Sequence, residues 1–116
     1  MTDYGKPSMD EVFEMIHTAL QHSPEATRGK EGIYQFNITG DDPGTYQMII
    51  EGSGARAIKG VEKEPQCTLT IDGDHYRSMV AGTLNPTAAF MSGKLKIKGN
   101  MGLALKLQTV LNSFSF

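Results

Sequence analysis

The stretch Asn85-Pro86-Thr87-Ala88-Ala89-Phe90-Met91-Ser92-Gly93-Lys94-Leu95-Lys96-Ile97-Lys98-Gly99-Asn100-Met101-Gly102-Leu103-Ala104-Leu105-Lys106-Leu107-Gln108 reads as helix, strand and helix in succession. Asn85 followed by Pro86 is an N-cap with proline at the first helical position, which predicts a short helix through Met91 that stops near Gly93. Leu95 and Ile97 then alternate with Lys94, Lys96 and Lys98, the period of a strand with one apolar face, and Gly99 ends it. From Met101 the apolar residues Leu103, Ala104, Leu105, Leu107, Val110 and Leu111 follow at helical spacing, and only Lys106, Gln108 and Thr109 are clearly polar. A helix apolar on nearly every side is buried, or meets an apolar ligand, partner or membrane.

Upstream, Cys67, Leu69 and Ile71 alternate with Thr68, Thr70 and Asp72, a strand that stops at Asp72-Gly73-Asp74. Asp74 is expected to cap a short helix from His75 to Ala81, closed by Gly82. Tyr34, Phe36 and Ile38 form another alternating run, and the turn Asp41-Asp42-Pro43-Gly44 returns the chain through Tyr46, Met48 and Ile50 as a hairpin. After the turn-rich Glu51 to Gly54, residues Ala55 to Val61 are a weaker strand whose large apolar groups are Ile58 and Val61. Nearest the N-terminus, Ser8 and Glu11 have capping-box spacing. They open a helix with Val12, Phe13, Ile16, Ala19 and Leu20 on one stripe, ended at Ser23-Pro24.

The segment from Asn85 to Gln108 resembles the closing signature of the sterol carrier protein type 2 family, and the strand Cys67 to Asp72, the helix after it and the earlier helix and hairpin occur in the family's order. The resemblance spans about residues 8–111 and is tightest at the C-terminal end. It implies an α+β fold with a five-stranded, mainly antiparallel sheet, helices covering one face, and an apolar tunnel between the layers. It also implies a non-enzymatic protein that binds and carries fatty acids, fatty acyl-CoA, phospholipids or sterols. The alternative is an interaction or accessory domain that docks on a separate lipid-metabolising enzyme.

With 116 residues, 39% hydrophobic and 21% charged, the chain is expected to form one domain over residues 1–116 around a single core. A net charge of -2 gives no general attraction for nucleic acid. The single Cys67 rules out an intramolecular disulfide and fits a reducing compartment. Neither a leader nor an apolar span long enough for a bilayer is readable, and Ser113, Phe114, Ser115 and Phe116 do not spell a peroxisomal tripeptide, so a cytoplasmic location is expected. No nucleophile elbow, phosphate loop, dinucleotide loop or zinc spacing appears, so no cofactor, metal or catalysis is expected. Asp72, Asp74 and His75 are close in sequence but read as capping residues, and Cys67 reads as buried filler.

An acyl-chain site needs apolar lining, because each buried methylene contributes roughly 0.8 kcal/mol. Met79, Phe90, Met91, Met101, Leu105 and Gln108 are the expected lining residues, although each apolar one also suits ordinary core. Gln108 is an amide in a nearly all-apolar helix; it faces solvent, bonds to backbone, or meets a ligand carbonyl or water. Lys94, Lys96 and Lys98 form either a solvated face or a contact for an anionic head group or membrane surface.

Overall fold

Ser8 and Glu11 form the capping box reciprocally. Ser8 N–H donates to Glu11 Oε1 at 2.9 Å, and Glu11 N–H donates to Ser8 Oγ at 3.1 Å. The helix they open, α1, spans Met9–His22 and buries Met9, Val12, Phe13, Ile16 and Leu20. This is a computed structural model, and it describes residues 7–22, 24–40, 42–52 and 54–112. Ser23 of the expected helix stop, Asp41 of the hairpin turn, Ser53, residues 1–6 and the C-terminal Ser113, Phe114, Ser115 and Phe116 lie outside the described residues.

After a 3-10 turn over Pro24–Thr27 come β1 (Gly32–Thr39) and β2 (Gly44–Glu51), an antiparallel hairpin in which Tyr34 faces Met48 and Phe36 faces Tyr46. Strand β3 (Gly54–Lys59) pairs antiparallel with β2, β4 (Cys67–Asp72) pairs parallel with β1, and β5 (Leu95–Gly99) pairs antiparallel with β4. The sheet order is β3-β2-β1-β4-β5, five strands with one parallel junction. That junction requires residues 60–66 to cross the sheet. Gln47, fully buried on the face turned away from the helices, holds the crossing. Its Oε1 accepts from Glu62 N–H at 2.9 Å and Lys63 N–H at 3.1 Å, and its Nε2 donates to Lys63 O at 2.6 Å and Gln35 Oε1 at 3.1 Å.

Strand β3 departs from expectation. Its inward residues are Ala55 and Ala57, while Val61 lies beyond the strand and is 62% exposed. The small side chains let α1 lie close against this edge strand. His17 Nδ1 accepts from Ala57 N–H at 3.1 Å and Gln21 Nε2 donates to Ala55 O at 2.6 Å, so helix side chains satisfy the open strand edge.

Helix α2 spans Gly73–Val80, and its N-cap is Asp72, not Asp74. Asp72 still has the extended backbone of β4, and its Oδ2 accepts from Asp74 N–H at 2.9 Å; Asp74, already inside the first turn, takes Arg77 Nη1 at 2.9 Å. Gly82 closes the helix with φ +84°, its N–H donating to Met79 O. Helix α3 spans Pro86–Met91, with Asn85 Oδ1 accepting from Thr87 N–H at 2.7 Å and Ala88 N–H at 3.3 Å. Helix α4 spans Met101–Asn112. At the joint before it, Gly99 has φ +101° and no room for a side chain, because a Cβ would meet Gln66 O at 2.5 Å.

All four described helices pack on the face that carries Tyr34, Phe36, Ile38, Leu69, Ile71 and Leu95 and share one core with it. Its centre is aromatic. Phe13 stacks on Tyr46 at 4.1 Å and on Tyr76 at 5.1 Å, with Phe36 tilted against both Phe13 and Tyr76.

Candidate functional site

Helices α3 and α4 meet over β5, and between them lies a groove of about 110 Å³ lined by Pro86, Thr87, Phe90, Ile97, Met101, Ala104 and Leu105. The helical repeat explains the lining. Leu103, Leu107, Val110 and Leu111 turn one stripe of α4 into the core, whereas Met101 and Leu105, four residues apart, lie on a second stripe that the core leaves open. Leu105 is 61% exposed, Met101 46% and Phe90 39%, so large apolar side chains stand at the mouth. Ala104, nearly buried, leaves room between them, and Ile97 supplies the contribution of the strand.

Three of the six expected lining residues, Phe90, Met101 and Leu105, therefore converge on this groove. Gln108, half-buried one turn further along α4, accepts at Oε1 from Thr87 Oγ1 at 3.4 Å and so links the two helices beside the groove. Met79 is not brought here; it is 3% exposed within the core on α2. Met91 is not among the lining residues either and is 79% exposed at the end of α3. The tunnel that the resemblance implies is not shown; this groove is one of several depressions, and its lining is mostly apolar.

Sequence reasoning missed Pro86, Thr87, Ile97 and Ala104 as lining. Pro86 and Ile97 carried signals for a helix start and a strand, and the only signal for Ala104 was its small size between two long apolar neighbours.

Lys94, Lys96 and Lys98 are all exposed, but they do not form one row. Lys96 and Lys98 stand opposite Thr70 and Thr68 on the face away from the helices, while Lys94 precedes β5 beside the end of α3. No residue lining the groove is titratable, and Thr87 supplies the one side-chain hydroxyl in an otherwise apolar lining. Cys67 is buried on β4, which pushes its thiol above the ordinary range and makes the thiolate scarce. Among the described residues no cluster of His, Cys, Asp and Glu could hold a metal ion, and no helix is long and apolar enough to cross a membrane.

The model of the SCP-2 sterol transfer family matches residues 13–112. Hydroxysteroid dehydrogenase-like protein 2 of Bos taurus is 34% identical over 109 residues, which is 93% of this chain and 26% of that protein. The Xenopus laevis protein of the same name is 36% identical over 108 residues, 92% of this chain and 25% of its own length. The chain thus spans about a quarter of these relatives. Among solved structures, the sterol carrier protein domain 2 of Helicoverpa armigera superposes with a TM-score of 0.76 at 27% identity, covering 89% of this chain and 84% of that one. Palmitated SCP2L2 of Aedes aegypti shares the fold with a TM-score of 0.73 at 24% identity, covering 95% and 99%. With the same strands, helices and closing segment, and a family match that runs from α1 to the end of α4, this chain belongs to the SCP-2 sterol transfer family.

Proposed function

We propose that residues 1–116 act as one non-catalytic lipid-binding domain that carries a fatty-acyl or similar apolar cargo, with the groove between α3 and α4 as its point of entry. The observation that carries this reading is the lining itself, where Phe90, Ile97, Met101, Ala104 and Leu105 face one another without a charged group among them. The palmitated Aedes aegypti relative gives the cargo class its first candidate, a long saturated acyl chain. A volume of about 110 Å³ is below the roughly 300 Å³ of ordinary small-molecule sites, so such a chain enters by parting α3 from α4. The unbranched, flexible Met101 suits a wall that must move. Met79 joins the lining only when the chain reaches between α2 and α4, and Gln108 exchanges Thr87 for the cargo's polar end.

Transfer then proceeds by transient contact with a membrane or a lipid-metabolising enzyme in the cytoplasm. The relatives in which the matched part is about a quarter of a hydroxysteroid dehydrogenase-like protein favour a second, compatible reading, in which the domain presents cargo to a separate enzyme. The deciding measurement is a thermal melt with palmitate, palmitoyl-CoA and a sterol. A ligand at about 100 times its Kd stabilises by about 2.7 kcal/mol, expected as a rise in Tm on the order of 10 °C. No shift with any of the three overturns the carrier reading. Gln108→Leu is expected to change the preference among head groups and leave the melt of the free protein in place.

A further inference from the structure

Six large apolar side chains stand exposed among the described residues, and four of them, Phe90, Met91, Met101 and Leu105, gather where α3 and α4 flank β5. The charge there is one-sided. No Asp or Glu follows Asp74, whereas Arg77, Lys94, Lys96, Lys98 and Lys106 do. Four other cations have carboxylate partners: Arg56 pairs with Glu62, Lys59 with Asp10, Lys63 with Glu51, and Arg77 with Asp74. Among the described residues, none of the four later lysines has a carboxylate within ion-pair distance.

Resting on the carrier reading above, we propose that this face is a docking surface for an anionic bilayer, and that the groove opens against the membrane when it docks. Apolar side chains that enter the acyl boundary, flanked by lysines that meet acidic head groups, are the two components of interfacial binding. Met91, the most exposed of the four and not part of the lining, leads the insertion. Lys94, three residues after it, and Lys106, next to Leu105, lie at head-group level. Lys96 and Lys98 project from the other face of the same edge strand and act only through the field, within a Debye length of about 10 Å. A cargo passing from bilayer to groove by this route never exposes its chain to water, whose cost is what makes spontaneous lipid exchange slow.

Co-sedimentation with vesicles tests it, comparing phosphatidylcholine alone with phosphatidylcholine containing about 30% phosphatidylserine. The protein is expected to bind the anionic vesicles at least tenfold more tightly, and less so as salt rises. Each lysine at the surface is worth roughly fivefold, so Lys94→Glu with Lys106→Glu should weaken binding more than tenfold, and the same change at Lys96 and Lys98 should weaken it less. Met91→Glu is expected to abolish docking while palmitate binding without vesicles is retained. Equal binding to both vesicle types overturns the proposal, as does undiminished docking of Met91→Glu or a concentration-dependent dimer that Met91→Glu dissolves. Intact docking by a protein that fails to bind palmitate overturns the carrier reading alone.

Discussion

The two ends of the sheet are built from the same parts and finished differently. At one end α1 lies over the edge strand β3, and at the other α3 and α4 lie over the edge strand β5. The α1 end is closed by polar chemistry. His17 and Gln21 bond to the backbone of β3, Lys59 meets Asp10, Arg56 meets Glu62, and the Tyr46 hydroxyl donates to Asp10 at 2.5 Å. The α3–α4 end leaves Met91, Met101 and Leu105 exposed and, among the described residues, its lysines without carboxylates within ion-pair distance. Volume alone would point to the other end. Depressions of about 260 and 210 Å³ occur around β3 and α1, but Arg28, Glu31 and Glu51 line one and Asp10, Glu14, His17 and Lys59 the other. The smaller groove is the one whose walls suit an acyl chain.

The largest break in this contrast should come from equal truncations at the two ends. Ile16→Ala, in a fully buried site under α1, is expected to cost about 3 kcal/mol and to lower Tm by more than 10 °C; Leu105→Ala should stay within about 0.5 kcal/mol in the same urea titration. Comparable losses at both positions would mean that α4 is as tightly packed outside as inside. Next in size, Gln47→Leu strands Glu62 N–H, Lys63 N–H and Lys63 O under the crossing and is expected to cost about 2 kcal/mol, read in the same titration. An unchanged midpoint would show that the crossing is held elsewhere.

Leu105→Asp sharpens the contrast from the other side. It places a charge at the groove mouth and should reduce palmitate affinity at least tenfold by calorimetry, with the Tm of the free protein nearly unmoved.

The pH responses are smaller and fall at the centre of the sheet and at the closed end. Burial, above all, holds the Tyr34 phenol at about 12, and its hydroxyl donates to Lys30 O. The folded value lies above the ordinary 10.0, so this stabilisation is complete below that pH and is lost as pH rises through the folded value. An absorbance titration should show a late phenolate accompanied by unfolding. Asp10 is held below its ordinary 3.8, chiefly by the Tyr46 hydroxyl and then by Lys59, and Glu51 below 4.5, chiefly by Lys63. Their contributions are present above those values and are lost as pH falls below them, so amide shifts in β3 and α1 should move on acidification while those of α4 stay still.

Local chemistry was legible in the sequence because it is settled within a few residues. The Ser8–Glu11 box, the Asn85–Pro86 helix start, the Gly82 stop and the alternation of β1, β2, β4 and β5 each depend on near neighbours, and each stands where the pattern placed it. The motif from Asn85 to Gln108 likewise carried the family.

What lay beyond the sequence depended on partners far along the chain. Asp72 and Asp74 are equally good caps in isolation, and the choice fell to Asp72 because pairing with β1 holds its backbone extended to that residue. Ala55 and Ala57 turn inward in place of the bulkier Ile58 and Val61 because α1 presses on that edge. Leu105 and Leu107 are the same residue type two positions apart in one nearly all-apolar helix, yet Leu107 is fully buried and Leu105 is 61% exposed. Composition gives such a helix no preferred side, so packing against β4, β5 and α3 decided which stripe became core and which was left to line a groove.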